Sequence, residues 1–279
     1  MKLTKEQHFL LRRAIHGSFT LWDLIAVLFV VVLLGVWFVF AHTGERGRII
    51  RCTANLKVLG EVTQSFANDH NDGIPAATID TTYMNGGGVI SWDTQLAPYL
   101  EPRLAQAKSV YEKSLVWPAG QHHLACPSDP IKRPNPRSYA MSWRRWLYGW
   151  PPASEDKAGV GVTWNKATIS RFLDSDLAQR AAKHPELLPR LQLSVISDPD
   201  QTMLFTELIQ QPNMVGRIVC TQVGYVQAQK EAFNGDSSHF HFGKFNYLMA
   251  DGHVELLSGS KTDGSDGKSH NIWIINPGD

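Results

Sequence analysis

The sequence predicts an α+β fold: one long N-terminal helix, membrane-spanning in its first half, then a loop-rich region and a C-terminal antiparallel β-sheet. Three observations predict it. Leu24 to Ala41 carries no charge, and a helix of that composition approaches the roughly 30 Å of a hydrocarbon core. Apolar residues recur in steps of three and four at Ile49, Cys52, Leu56, Leu59, Val62 and Phe66, the stripe of an amphipathic helix. The last third holds short runs rich in β-branched and aromatic residues, the composition of strands.

The N-terminal segment has Lys2, Lys5, Arg12 and Arg13 against one acid, Glu6. By the positive-inside rule it stays cytoplasmic and everything after His42 is exported. A cleavable secretory signal has a shorter apolar core and a small-residue cleavage site after it, and neither is present. The helix is expected to end near Asn68 to His70, because Asn-Asp-Gly and then Pro75 follow. Residues 71–136 are rich in Gly, Pro and Asp and read as long loops around one or two short elements. "MNGGGVISW" reads as a flexible turn. Residues 168–184 read as one helix stopped by Pro185, with Ile169, Phe172, Leu173, Leu177 and Ala181 on one side. "LQLSVIS", "TMLFTE", "GRIVCTQVGYV", "FNYLMA", "HVELL" and "NIWII" read as strands. In "LMADGHVEL", Asp251-Gly252 is expected to be a two-residue hairpin turn. Three divisions follow: a basic cytoplasmic segment over 1–18, a helix over 19–70 that spans a membrane over about 19–41, and an exported head over 71–279.

Asp23 is anomalous, since an ionised acid inside a membrane span costs about 2–3 kcal/mol at mid-bilayer. The residues around it supply a reason. Phe19-Thr20-Leu21-Trp22-Asp23 follows a short basic leader ending in the small residues Gly17 and Ser18, and it resembles the N-terminal signature of type IV pilins and type II secretion pseudopilins. Two departures stand out: Ser18 takes the place of the usual Gly, and the acid is Asp rather than Glu. The resemblance continues through the Cys-x-x-Asn-Leu-Lys run starting at Cys52, "SWDTQLAPYLEP", "CPSDP", "SYAMSW", "SDPDQTMLFTE" and a His-x9-Asp-Gly segment at His241, Asp251 and Gly252.

This resemblance implies a pilin-like fold, with the long helix packed on the sheet. It also implies a prepilin peptidase that cuts within Gly17-Ser18-Phe19, either after Ser18 or, in the alternative register, after Gly17, N-methylation, and other pilin-like subunits as partners through the N-terminal helix. Asp23 would pair with a neighbour's terminal ammonium, each charge making the other less costly to bury. The implied location is the bacterial inner membrane, single-pass, with the head in the periplasm, or at the cell surface once assembled.

Four groups of residues are candidates for chemistry. His239, His241 and His253 cluster near Asp251, a spacing compatible with zinc, against a structural role in which His241 ties the hairpin to a backbone group or an acid. Asp263 and Asp266 lie in an Asp-Gly loop that is suggestive of calcium by analogy with the major pseudopilin. The loop lacks the alternating oxygen ligands of an EF-hand, and Lys268 repels a cation, so a plain turn is the reading. Trp143, Arg144, Arg145, Trp146 and Trp150 form an aromatic–cationic patch suited to glycans or a protein partner if exposed, or to a core if buried. Cys52, Cys126 and Cys220 are an odd set in a disulfide-permissive compartment, and either one bridge or three buried thiols is compatible with them.

No nucleophile–base, zinc-protease, P-loop or dinucleotide fingerprint occurs, and a net charge of +1 gives no argument for nucleic acid. The expected function is a non-enzymatic pilin-like structural and assembly subunit of a pseudopilus, pilus or secretion apparatus. The competing reading is a membrane-tethered, exported binding module for glycan or protein ligands. No cofactor is expected, with calcium or zinc as the metals to consider.

Overall fold

The computed structural model describes residues 20–84, 87–102, 122–143, 159–224, 229, 237–238, 240–264, 267 and 271–275, with the side chains of 38–42 left aside. The chain divides into two compact units, Met1–Arg46 and Gly47–Asp279, and each is described by itself. Helix α1 runs over Leu21–Asp69 and contributes to both.

In the first unit, α1 opens with a capping box. Thr20 is the N-cap: the Asp23 amide donates to Thr20 Oγ1 at 3.3 Å, and the Thr20 amide donates to Asp23 Oδ2 at 2.9 Å. Two otherwise orphaned amide groups are thereby satisfied. The large apolar side chains from Leu21 to Trp37 are all exposed, between 46% and 77%. The expected membrane span is corrected here. Among the described residues no helix is long and apolar enough to cross a membrane.

In the second unit, the rest of α1 buries Cys52, Leu56, Leu59 and Phe66 in the main core, while Ile49 and Val62 are half-buried. Thr63 takes part of the stripe where Val62 was expected. The helix ends at Asp69, and Asn71 and Asp72 follow at φ 52° and 67°, left-handed conformations that Asn and Asp tolerate better than most residues.

Strands β1 (Thr78–Asp80), β2 (Val89–Ser91) and β4 (Thr163–Trp164) form a small sheet in the order β2-β1-β4. Strands β3 (Tyr139–Ser142), β5 (Met203–Glu207), β6 (Gln222–Val223), β7 (Lys244–Met249) and β8 (Val254–Ser258) form the larger one in the order β6-β3-β5-β7-β8. Both sheets are mixed. β1 pairs parallel to β4, and β3 pairs parallel to β6. The expected single antiparallel sheet is therefore also corrected. Each parallel partner is a two-residue strand, too short to show a period of two in sequence.

Other departures have local causes. The helix expected over 168–184 is two helices, α3 (Lys166–Phe172) and α4 (Ser175–Lys183). Asp174 breaks it by capping α4, accepting from the Leu177 amide at 2.7 Å. Helix α2 (Trp92–Leu100) rises within the region expected to be mostly loop. "LQLSVIS" holds a 3₁₀ turn over Leu193–Val195 rather than a strand. "NIWII" contributes a bridge at Asn271 followed by turns, with Ile272, Trp273 and Ile275 buried against the core.

The β7–β8 connection is not the expected two-residue turn. The Gly252 amide donates to Met249 O at 3.0 Å, and the Met249 amide donates to His253 O at 2.9 Å. The loop is longer, and only Gly252 takes positive φ, at 93°, with Asp251 on the ordinary side. This is the pattern of a type I turn closed by a glycine bulge.

Candidate functional site

The most chemically dense point of the second unit is fully buried. Cys52 comes from α1, Cys126 follows the 3₁₀ turn His122–Leu124, Glu207 ends β5, and His241 opens the 3₁₀ turn that leads into β7. Cys52 and Cys126 are joined in a disulfide. His241 Nε2 lies 2.9 Å from Glu207 Oε1 and 3.3 Å from Cys126 Sγ. Glu207 is held from its other side: the Asn246 amide donates to Oε2 at 2.7 Å, and Asn246 Nδ2 donates to Oε1 at 2.9 Å. Thr53 Oγ1, one residue beyond Cys52, donates to Asn246 Oδ1 at 2.9 Å.

Local backbone geometry sets the imidazole. His241, Phe242 and Gly243 have φ of 48°, 57° and 78°. Two non-glycine residues in this region carry strain of about 1–3 kcal/mol each, which persists only where the surroundings enforce it. The ring of Phe240 lies 4.1 Å from that of His241 and continues to Phe245 at 5.4 Å. Tyr139, opposite Glu207 in the β3–β5 register, has its phenol pushed well above the ordinary range by burial and by the Glu207 charge.

A second buried network braces the loops around this point. Arg137 is fully buried and ion-paired to Asp93 of α2. Its Nε donates to Asn213 Oδ1 and its Nη2 to Val219 O, each at 2.7 Å. Asp93 also accepts from the Gly216 amide at 2.6 Å. Nearby Arg133 pairs with Asp129 at 2.6 Å, and Ser138 Oγ donates to the same carboxylate.

The structure distributes the sequence candidates unevenly. Of the three histidines, only His241 enters the buried cluster. His253 is partly exposed, with Nδ1 2.6 Å from Asp251 Oδ1, and His239 lies outside the described residues. Asp263 forms a β-bridge with Asn271, while Asp266 lies outside the described residues, as do Gly17, Ser18, Phe19, Arg144, Arg145, Trp146 and Trp150. Trp143 is half-buried, its backbone bridged to Gly161. A Cβ at Gly224 would sit 2.6 Å from its indole, so glycine is required for that approach.

Sequence reasoning missed Glu207, Asn246 and the Cys52–Cys126 pairing. One signal was present: Glu207 closes a strand that opens with Met203-Leu204-Phe205, and an acid there must be paired if buried. No protein-family model, curated protein or solved structure matches this chain.

Proposed function

We propose that this chain is a pilin-like assembly subunit, processed by a prepilin peptidase and contributing to a pseudopilus, pilus or secretion apparatus. The observation that carries this reading is the row of apolar side chains on α1 from Leu21 to Trp37, none of them covered. A contiguous apolar surface of this kind on a single chain calls for a partner, and the same helix on neighbouring copies is the self-complementary choice. The Phe19 to Asp23 signature supports the reading. So does the disulfide, which fits an exported, oxidising compartment such as the periplasm. The head is then the exported part, held to its end of α1 by the buried stripe and the Cys52–Cys126 bridge.

The test combines mass spectrometry of the mature N-terminus with cross-linking in native envelopes. Loss of the segment before Phe19, with chains cross-linked through cysteines placed at Trp22 or Trp37, is the expected result. A chain that retains Met1 and yields only monomers would overturn the reading. Fractionation of the same cells reports where the chain resides before assembly.

A further inference from the structure

We propose that Cys52, Cys126, Glu207 and His241 are a closed four-ligand zinc site, available when the Cys52–Cys126 bridge is reduced. Disulfide and metal are then alternative cross-links at one point of the fold. The four donor atoms lie within 4.8 Å of one another, and all four residues are buried. Tetrahedral zinc with bonds of roughly 2.0–2.3 Å needs donors about 3.3–3.8 Å apart. Opening the S–S bond and a small adjustment of the carboxylate reach that geometry.

Two further features point to a ligand set rather than to a bridge alone. A disulfide needs neither an acid nor an imidazole beside it, yet both are here, with His241 Nε2 within 3.3 Å of Cys126 Sγ. The acid is also oriented from behind by Asn246, which is itself oriented by Thr53. That is the arrangement by which outer groups aim metal ligands. Two buried thiolates and a carboxylate would be costly without a cation among them, and zinc supplies it.

The chemistry balances. A dithiol reductant takes up the bridge by exchange: its two thiols become a disulfide, and Cys52 and Cys126 each gain one hydrogen. Zinc then displaces both thiol protons to solvent as two S–Zn bonds form. His241 ligates through Nε2 with its proton on Nδ1, and Glu207 ligates as the carboxylate.

The experiment uses the full chain, oxidised or reduced by a phosphine, which converts to its oxide with water supplying the oxygen and the two thiol protons. Cobalt(II) is the optical probe and zinc the competitor. Reduced protein should take up one equivalent of cobalt with the absorption of a tetrahedral thiolate complex, and zinc should displace it. Oxidised protein should take up none. Cys220→Ser should bind as the parent does. Cys126→Ser should bind more weakly than the parent by over about 100-fold, beyond the ~10–100-fold typical of losing an outer group.

Reduction without metal serves as the folding control. If the reduced chain loses its circular-dichroism signal and zinc restores it, the site is supported without any variant. Reduced protein that stays folded but takes up no cobalt would overturn the proposal. So would reduced protein that unfolds and is not rescued by zinc, or uptake that is undiminished in Cys126→Ser.

Discussion

Gly252 sits at φ 93° with open space where a Cβ would project. Substitution there is therefore penalised by backbone conformation alone, and a β-branched residue suffers most. Gly252→Val should lower stability by about 1–3 kcal/mol, read as a drop in the urea midpoint with an unchanged slope. Gly252→Asn should recover part of that loss. Arg137 presents the opposite situation, since its cost lies in partners rather than in backbone. With both members of the Arg137–Asp93 pair fully buried, removing the cation leaves an uncompensated carboxylate. Arg137→Ala should cost about 3–5 kcal/mol. The double variant Arg137→Met with Asp93→Leu should be markedly more stable than either single change, as a double-mutant cycle would show.

At the level of elements, the start of α1 gives Asp23 a role within its own chain. The capping box with Thr20 means that Asp23→Ala removes the reciprocal half of the box, worth roughly 1 kcal/mol or less, in addition to any contact with a neighbour. Asp23→Asn retains much of the capping capacity but loses the charge. If the proposed function holds, a filament or pseudopilus yield that falls in both variants would assign assembly to the charge, and a fall in Ala alone would assign it to the cap. At its other end α1 is tied to α2, where Tyr99 Oη donates to Asp69 Oδ2 at 2.7 Å. Burial first, and then that bond, push the Tyr99 phenol up to about 12. Because the folded value lies above that of the free side chain, this contribution is complete below about pH 10. It is lost as pH rises towards 12. Tyr99→Phe should flatten the alkaline part of the stability profile.

The same elements show how far sequence carries. The stripe from Cys52 to Phe66 and the β7–β8 hairpin are legible because each is long enough to display its period. The break at Asp174 is legible in retrospect, as a capping residue inside an apolar repeat. The parallel pairings are not, because they join strands of two residues whose partners are set by packing rather than by pattern. The buried cluster is the sharpest example. Cys52, Cys126, Glu207 and His241 are spread over most of the second unit, and nothing in their spacing brings them together. His241 was visible only through the Asp-Gly segment that follows it.

Taken as a whole, the second unit is tied together by non-local strand pairings, buried polar networks and one covalent link. The Cys52–Cys126 bridge is the covalent one, closing a separation of 74 residues between α1 and the loop that follows the 3₁₀ turn His122–Leu124. Constraining a loop of that length in the unfolded chain is worth about 4 kcal/mol in the chain-entropy picture, a large share of a typical domain's stability. Replacing both cysteines by Ala should therefore lower the melting temperature of the oxidised protein substantially. Cys220 provides the comparison. Its thiol is half-buried and donates to Gln210 Oε1 at 3.0 Å, so Cys220→Ser should change stability by about 1 kcal/mol or less. A chelator separates the two forms of cross-link. In the oxidised chain the sulfurs are bonded to each other, and added chelator should leave the melt unchanged. In reduced chain loaded with zinc, chelator should lower the melt, and renewed zinc should restore it, because a ligand bound only by the native state stabilises by mass action. Equal chelator sensitivity in both forms would mean that the metal sits elsewhere. Insensitivity in both would leave the disulfide as the tie at this point of the fold.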